Sequence, residues 1–372
     1  MTVDVDSAGL REQYVAELRS AGRLRSPRWI EAFAQVPREH FVPRFAAPQQ
    51  GGQLVDHDLA DPDALAVVYS NAPLITQRDA VGAPTSSSTQ PSLMATMLEH
   101  LDARPGHRVL EIGTGTGYNA ALLCHALGSD AVTSIDLDGT VAESAEQRLR
   151  ELGCTPRIAV AEAQVGAPEH APFDRVIGTC GFTRVPKAWL GQLAEDGVVV
   201  LALGCGLVVL RGGPGGLRGP VVGPAGFMSR SSVDEVALTP RDLLTTVQAL
   251  PPADRSERGM DRSVFHDPDF SLLRMLCLPT THAVLRDEED GSTTYFLHDP
   301  ARGVSTRAHV LGDTAQVSTR GGDDLWAELL AVQDRWREHG CPELTRFGVS
   351  VHADGSHDLW LDEPGVVVCR RD

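Results

Sequence analysis

Residues 109–123 read VLEIGTGTGYNAALL. The apolar opening ends at Glu111 and Ile112, turns through Gly113, Gly115 and Gly117, and runs into the helical segment YNAALLCHAL. Each glycine lets the backbone turn tightly or lets a ligand approach it. A second β-rich run, AVTSIDLD, ends at Asp136 about 20 residues on, where a carboxylate can take two ribose hydroxyls. Glycines after a strand can equally make a plain turn, and Asp136 can be a solvated strand end. The succession of strand, acid, three glycines, helix, second strand and second acid favours a nucleoside site.

A dinucleotide would lay its pyrophosphate over the glycine turn, where the Glu111 carboxylate would repel it. S-adenosylmethionine has no phosphate and carries a sulfonium and an α-ammonium, so an acid at the end of the first strand favours it. The pattern E-x-G-x-G-x-G therefore predicts a methyl donor rather than NAD.

Outward from this stretch, short β-rich runs alternate with helical segments: HRVLEI, GYNAALLCHAL, AVTSIDLD, TVAESAEQRLREL, RIAVAEA, FDRVIGTC, PKAWLGQLA and GVVVLALG. Such alternation predicts a parallel, doubly wound α/β sheet. Before it, Leu10, Tyr14, Leu18 and Leu24, then Trp29, Ile30, Phe33 and Val36, predict two short amphipathic helices. After Gly204 the Gly- and Pro-rich run reads partly as a hairpin finishing the sheet and partly as loop. The expected division is a helical cap region over 1–80, the nucleoside-binding domain over 81–230, a linker over 231–264 and an α+β domain over 265–372.

The chain has 372 residues, of which 42% are hydrophobic, enough for more than one core. A net charge of −17 argues against nucleic acid or anionic lipid as partner, since phosphate binding needs clustered Lys and Arg. No apolar run approaches the roughly 20 residues of a membrane helix, and the acidic MTVDVDSAG is unlike a signal peptide, so a cytoplasmic location is expected. The seven cysteines form no C-x-x-C pair and most read as buried, reduced thiols; the 13 histidines show no H-E-x-x-H spacing, so no metal is expected. HADGSHD (352–358) and RDEEDGS (286–292) read as hairpin turns, and Trp326, Leu329, Leu330 and Trp336 as the core stripe of a helix.

Over residues 10–210 the chain resembles the protein-L-isoaspartate O-methyltransferases. The likeness rests on AFAQVPREHFVP (32–43), STQPSLMATMLEHL (88–101), VLEIGTGTGYNAALL and APFDRVIGTCGFTRVPKAWLGQLAEDGVVVLALG (171–204), in that order. The resemblance implies a Rossmann-like class I methyltransferase fold. Its T-I-S-Q-P segment, whose Ser helps to hold the substrate carboxylate, falls on Ser87–Pro91, which puts Thr89 in that place with Ser88 beside it. Its G-D-G, whose Asp contacts adenine, falls on Ala161–Ala163 and leaves Glu162 in that role. The implied donor-binding set is Glu111, Gly113, Thr114, Gly115, Gly117, Asp136, Leu137, Glu162 and Thr179. The extension beyond about residue 225 resembles a subgroup that modifies ribosomally made peptides in actinobacteria, through DDLWAELLAVQDRWREHG, ELTRFGVSV and DLWLDEP. That resemblance implies methylation of an Asp carboxyl in a macrocyclised precursor peptide, followed by aspartimide formation and opening to isoaspartate.

The run PTSSSTQP (84–91) fits this chemistry. A phenol or alcohol acceptor would benefit from a general base, whereas a carboxylate with a pKa near 4 is already ionised. Hydroxyls at a helix start can orient such an anion without the tight ion pair that would blunt its nucleophilicity. Thr89 can also be an N-cap ahead of Pro91, with its neighbours filling a polar loop; the two roles are compatible. Two further readings stay open: a general isoaspartate repair enzyme with an added module, and a non-catalytic peptide-binding module, against which the complete donor loop argues.

Overall fold

Strand Val109–Ile112 lies within a ten-stranded sheet, and all four of its residues are buried, as expected of an apolar run covered on both faces. The computed structural model describes residues 7–371 apart from 50–52, 81, 228–239, 249, 251 and 254. On one side the strand pairs in parallel with Val132–Asp136 and then Arg157–Val160; on the other come Phe173–Phe182 and Leu193–Leu203, also parallel. With helices Pro91–Leu101, Tyr118–Leu127 and Gly139–Glu151, these strands form the expected doubly wound unit. Asp138 starts the last of these helices by accepting from the N–H groups of Thr140 and Val141.

The two N-terminal helices form at Ser7–Ser20 and Pro27–Gln35, burying Tyr14, Leu18, Trp29 and Phe33. The region 1–80 is nonetheless more than a helical cap. Strands Arg44–Pro48, Leu54–Asp58, Leu74–Arg78 and Pro84–Ser88 make a separate antiparallel sheet, and a boundary at 80/81 would split its last hairpin. Each strand is five residues long, and the burial of Leu54–Asp58 and Leu74–Arg78 does not alternate cleanly, so the period-2 signal was too weak to read.

Past Leu203 the chain reverses into the expected hairpin, Gly206–Gly213 and Gly216–Pro224. Strands Phe347–His352, His357–Leu361 and Val367–Arg371 then continue the same sheet by pairing onto Gly216–Pro220. The C-terminal strands thus complete the sheet that carries the glycine loop, so the division at 264/265 does not separate two domains. Leu217 and Val221 share one buried cluster with Val349, Val351 and Leu361, which is why the strands dock here. Part of the expected linker, residues 231–239, falls outside the described residues.

Between these segments, Arg255–Arg258, His282–Asp287, Thr293–Asp299, Val304–Leu311 and Thr314–Arg320 form a five-stranded antiparallel sheet. Helix Leu325–Glu338 packs on it, capped by Asp324, with Trp326, Leu329, Leu330 and Trp336 buried as its spacing predicts. The two runs read as hairpin turns do join antiparallel neighbours, His282–Asp287 to Thr293–Asp299 and Phe347–His352 to His357–Leu361. Of the seven cysteines, all free, Cys124 is buried, Cys341 exposed and the other five half-buried, so burial is less complete than expected. Among the described residues no helix is long and apolar enough to cross a membrane.

The C-terminal hairpin contains one especially close contact. Gly348 pairs with Trp360, and the indole lies on its bare backbone: a Cβ there would come within 2.0 Å of the ring. Gly348→Ala is therefore expected to cost about 1–3 kcal/mol through overpacking, read as a lowered thermal midpoint. An unchanged midpoint would show that Trp360 moves aside freely.

Candidate active site

A cavity opens at the carboxyl ends of Val109–Ile112 and Phe173–Phe182, where the strand order reverses and open α/β sheets bind their ligands. Gly113 has φ +97°, and a Cβ on it would lie 2.8 Å from Thr179 Oγ1. That hydroxyl donates to Ile112 O at 3.0 Å and Gly113 O at 2.7 Å, so Thr179 braces the loop from the next strand. Gly117, at φ +89°, lets helix Tyr118–Leu127 start against Ala145, whose Cβ would be 3.2 Å from an added one.

Asp136 is aimed by the same loop. The Gly115 N–H donates to its Oδ2 at 2.9 Å and the Asp138 N–H to its Oδ1 at 3.0 Å, which leaves each oxygen a further lone pair. Glu111 is wholly buried. It accepts from Asn119 Nδ2 at 2.7 Å and from Ser134 Oγ at 2.6 Å. Since the Ser134 proton is committed to Glu111, Thr114 Oγ1, 2.7 Å away, donates to Ser134. Burial pushes the Glu111 pKa up to about 7 against the pull of these two donors, and the Asp136 charge adds to the rise. Asn119 Oδ1 is a buried acceptor with no partner on the same cavity wall.

The opposite wall is the hydroxyl run. Ser86, Ser87 and Ser88 lie on a strand paired with Gln77, Ile75 and Leu74, where a polar loop was expected. Strand pairing fixes this backbone and presents Thr85 through Thr89 along the cavity. Pro91 opens the helix as predicted, but the cap position belongs to Gln90, with no side-chain cap bond, so capping is not a task of Thr89.

Ser88, Thr89, Glu111, Gly113, Thr114, Gly115, Asp136, Leu137, Glu162 and Thr179 all line this one cavity; Gly117 alone of the expected set does not. The sequence reading missed Gln77, Tyr118, Asn119, Cys180 and Phe227. Tyr118 and Asn119 follow the glycine loop directly and could have been inferred as the first turn of its helix. Phe227 follows the hairpin strand Gly216–Pro224 with no local signal of its role. Among the described lining residues there is no Lys, Arg or His. Burial pushes the Cys180 thiol up to about 12 and the Tyr118 phenol well above its ordinary range, so neither serves as a base near neutrality. Among the described residues no cluster of three or more His, Cys, Asp or Glu could hold a metal ion.

The family model for protein-L-isoaspartate(D-aspartate) O-methyltransferase matches residues 10–208. The protein-L-isoaspartate O-methyltransferase of Methanopyrus kandleri is 34% identical over 197 residues, 52% of this chain and 76% of that one. Its namesake in Methylorubrum populi is 35% identical over 211 residues, 56% of this chain and 83% of that one. A solved structure of a protein-L-isoaspartate O-methyltransferase shares the fold at a TM-score of 0.57 and 22% identity, covering 95% of this chain and 100% of that chain. The matched residues include the glycine loop, both acid-ended strands and the hydroxyl wall, and the chain belongs to the protein-L-isoaspartate O-methyltransferase family, a family of S-adenosylmethionine-dependent methyltransferases.

Proposed function

We propose that this enzyme methylates an aspartyl side-chain carboxylate of a ribosomally made, modified peptide, giving an ester whose methanol is displaced by the next backbone amide to form an aspartimide, which water opens to isoaspartate. The observation that carries the carboxylate reading is the acceptor wall: five successive hydroxyl residues, Thr85–Thr89, with the cavity's three carboxylates, Glu111, Asp136 and Glu162, left to the donor side. An alcohol or amine would have to lose a proton there, whereas a carboxylate arrives ionised.

The donor wall fits S-adenosylmethionine. The buried Glu111 carboxylate and the unpartnered Asn119 Oδ1 suit a cationic, hydrogen-donating ligand; Asp136 has lone pairs left for a ribose diol; Leu137, an exposed apolar side chain, and Glu162 suit the base. When bound, S-adenosylmethionine supplies a methyl carbon whose bond to sulfur breaks as a bond to the carboxylate oxygen forms, the electron pair staying on sulfur. No proton moves, so the chain's residues have only to align the acceptor oxygen and exclude water from it. Ser88 and Thr89 take the aligning role.

Two features favour a dedicated peptide over damaged proteins at large. Phe227, beyond the family-matched residues, stands on the cavity wall, and the C-terminal strands extend the catalytic sheet. Together with the resemblance of 323–340, 343–351 and 358–364 to peptide-tailoring relatives, they give the extension a part in substrate choice. A second reading, general isoaspartate repair, is favoured by the solved family structure whose fold follows 95% of this chain. Turnover on a panel of unrelated isoaspartyl peptides separates the two. Rapid, indiscriminate methylation would sink the dedicated reading, and turnover confined to a cyclised precursor would sink repair.

Thr89→Ala is expected to lower kcat roughly tenfold or more, the worth of one hydrogen bond to a charged group, with donor affinity held. Asp136→Ala should do the reverse; steady-state kinetics and calorimetry with S-adenosylhomocysteine read both.

Glu111 yields a third prediction. Its folded pKa of about 7 lies above the ordinary 4.5, so its burial costs nothing below the ordinary value, and stability is lost as pH rises through about 7. Without a donor, Glu111→Gln should be more stable than wild type at pH 8, by up to about 3 kcal/mol, while binding S-adenosylmethionine more weakly. Wild-type affinity should fall as pH drops below 7, with proton release on binding. PH-independent binding without proton release would contradict the assignment.

A further inference from the structure

Arg38, in AFAQVPREHFVP, is wholly buried. A guanidinium keeps its charge at any physiological pH, and burying one without a counter-ion is strongly unfavourable. The six acceptors around it are all neutral oxygens. Nη1 donates to Val68 O at 2.7 Å and Ser70 O at 3.3 Å, and Nη2 to Ala72 O at 3.2 Å. The rest belong to the hydroxyl wall: Nη2 reaches Ser88 O at 3.4 Å and Thr89 O at 3.2 Å, and Nε donates to Ser88 Oγ at 3.3 Å.

The last bond has a directional consequence. With its oxygen accepting from Arg38, the Ser88 hydroxyl keeps its own proton for another acceptor, and Ser88 lines the cavity. The positive charge thus stands one hydroxyl behind a wall that carries no cation of its own among the described lining residues. A neutral cross-link could have joined Val68–Ala72 to Ser88–Thr89; the charge is what such a cross-link does not require.

We propose that Arg38 is a positioning residue for the acceptor: it fixes Ser88 and Thr89 as donors into the cavity and supplies, through the Ser88 hydroxyl, the charge that selects an ionised carboxylate. This rests on the carboxylate reading above. Placing the cation behind a hydroxyl attracts the anion without a direct ion pair, so the acceptor oxygen keeps its nucleophilicity while water is excluded.

The test compares the binding of an aspartyl or isoaspartyl peptide that the wild-type enzyme methylates with that of the same peptide bearing a carboxamide at the methylated residue, both with saturating S-adenosylhomocysteine. Arg38→Met should cut the preference for carboxylate about tenfold or more and leave carboxamide binding within about twofold; Arg38→Lys should retain most of the preference. Equal loss on both peptides, or an unchanged ratio, would reduce Arg38 to a structural cross-link and overturn the proposal. If Arg38→Met does not fold, Ser88→Ala, which leaves five of the six acceptors in place, should lower the same ratio severalfold, and an unaltered ratio overturns the relay. Wild-type enzyme that fails to prefer the carboxylate would overturn the carboxylate reading itself, a result distinct from either.

Discussion

Glu111 is a carboxylate at zero exposure, and the site's geometry follows from the hydrogen bonds that make its burial tolerable. Asn119 brings the first turn of helix Tyr118–Leu127 to one oxygen, and Ser134 brings strand Val132–Asp136 to the other. Thr114 is tied in through Ser134, so the loop, the helix and two strands meet at one group. Half-protonated near pH 7 in the free protein, that group is better accommodated beside a cation. A cationic ligand beside it would relieve the cost of its burial, and strongly shifted pKa values are common at ligand sites.

The two walls divide the chemistry. On the donor wall the charges Glu111 and Asp136 reach the cavity directly; on the acceptor wall only hydroxyls do, with Arg38 behind them. Displacement at carbon by an ionised oxygen needs alignment and desolvation more than proton transfer, and this division supplies both. The antiparallel sheet that carries the hydroxyls is tethered to the donor side by Gln77, which accepts from Thr85 and donates to Asp138 at 3.0 Å. The C-terminal strands extend the same central sheet, so one continuous ladder of backbone hydrogen bonds joins them to the strands that carry the glycine loop.

The donor wall was legible in the sequence because its determinants are local. Strand, glycines, helix start and second acid fall within about thirty residues, and each has its own steric or electrostatic reason. Thr89 and Ser88 were placed by resemblance, and the structure puts Ser88 at the end of a paired strand with Thr89 just beyond it, and removes the cap from Thr89. What could not be read depends on distant pairing. Gly216–Pro220 pairs with Gly348–His352 across more than a hundred residues, and nothing local marks either strand as belonging to the central sheet. Arg38 and Phe227 were likewise hidden: one is a charged residue in a short helical turn, the other follows a hairpin, and only the folded chain brings Phe227 to the cavity wall and Arg38 behind it.

The central claim is that a wall of hydroxyls without a base accepts methyl only on an oxygen that arrives ionised. It is tested most directly by transferring a labelled methyl from S-adenosylmethionine to the peptide substrate and treating the product with mild alkali. A carboxyl ester predicts that nearly all the label leaves as volatile methanol. Label that stays on the peptide, as an ether or a methylated amine would hold it, would contradict the account.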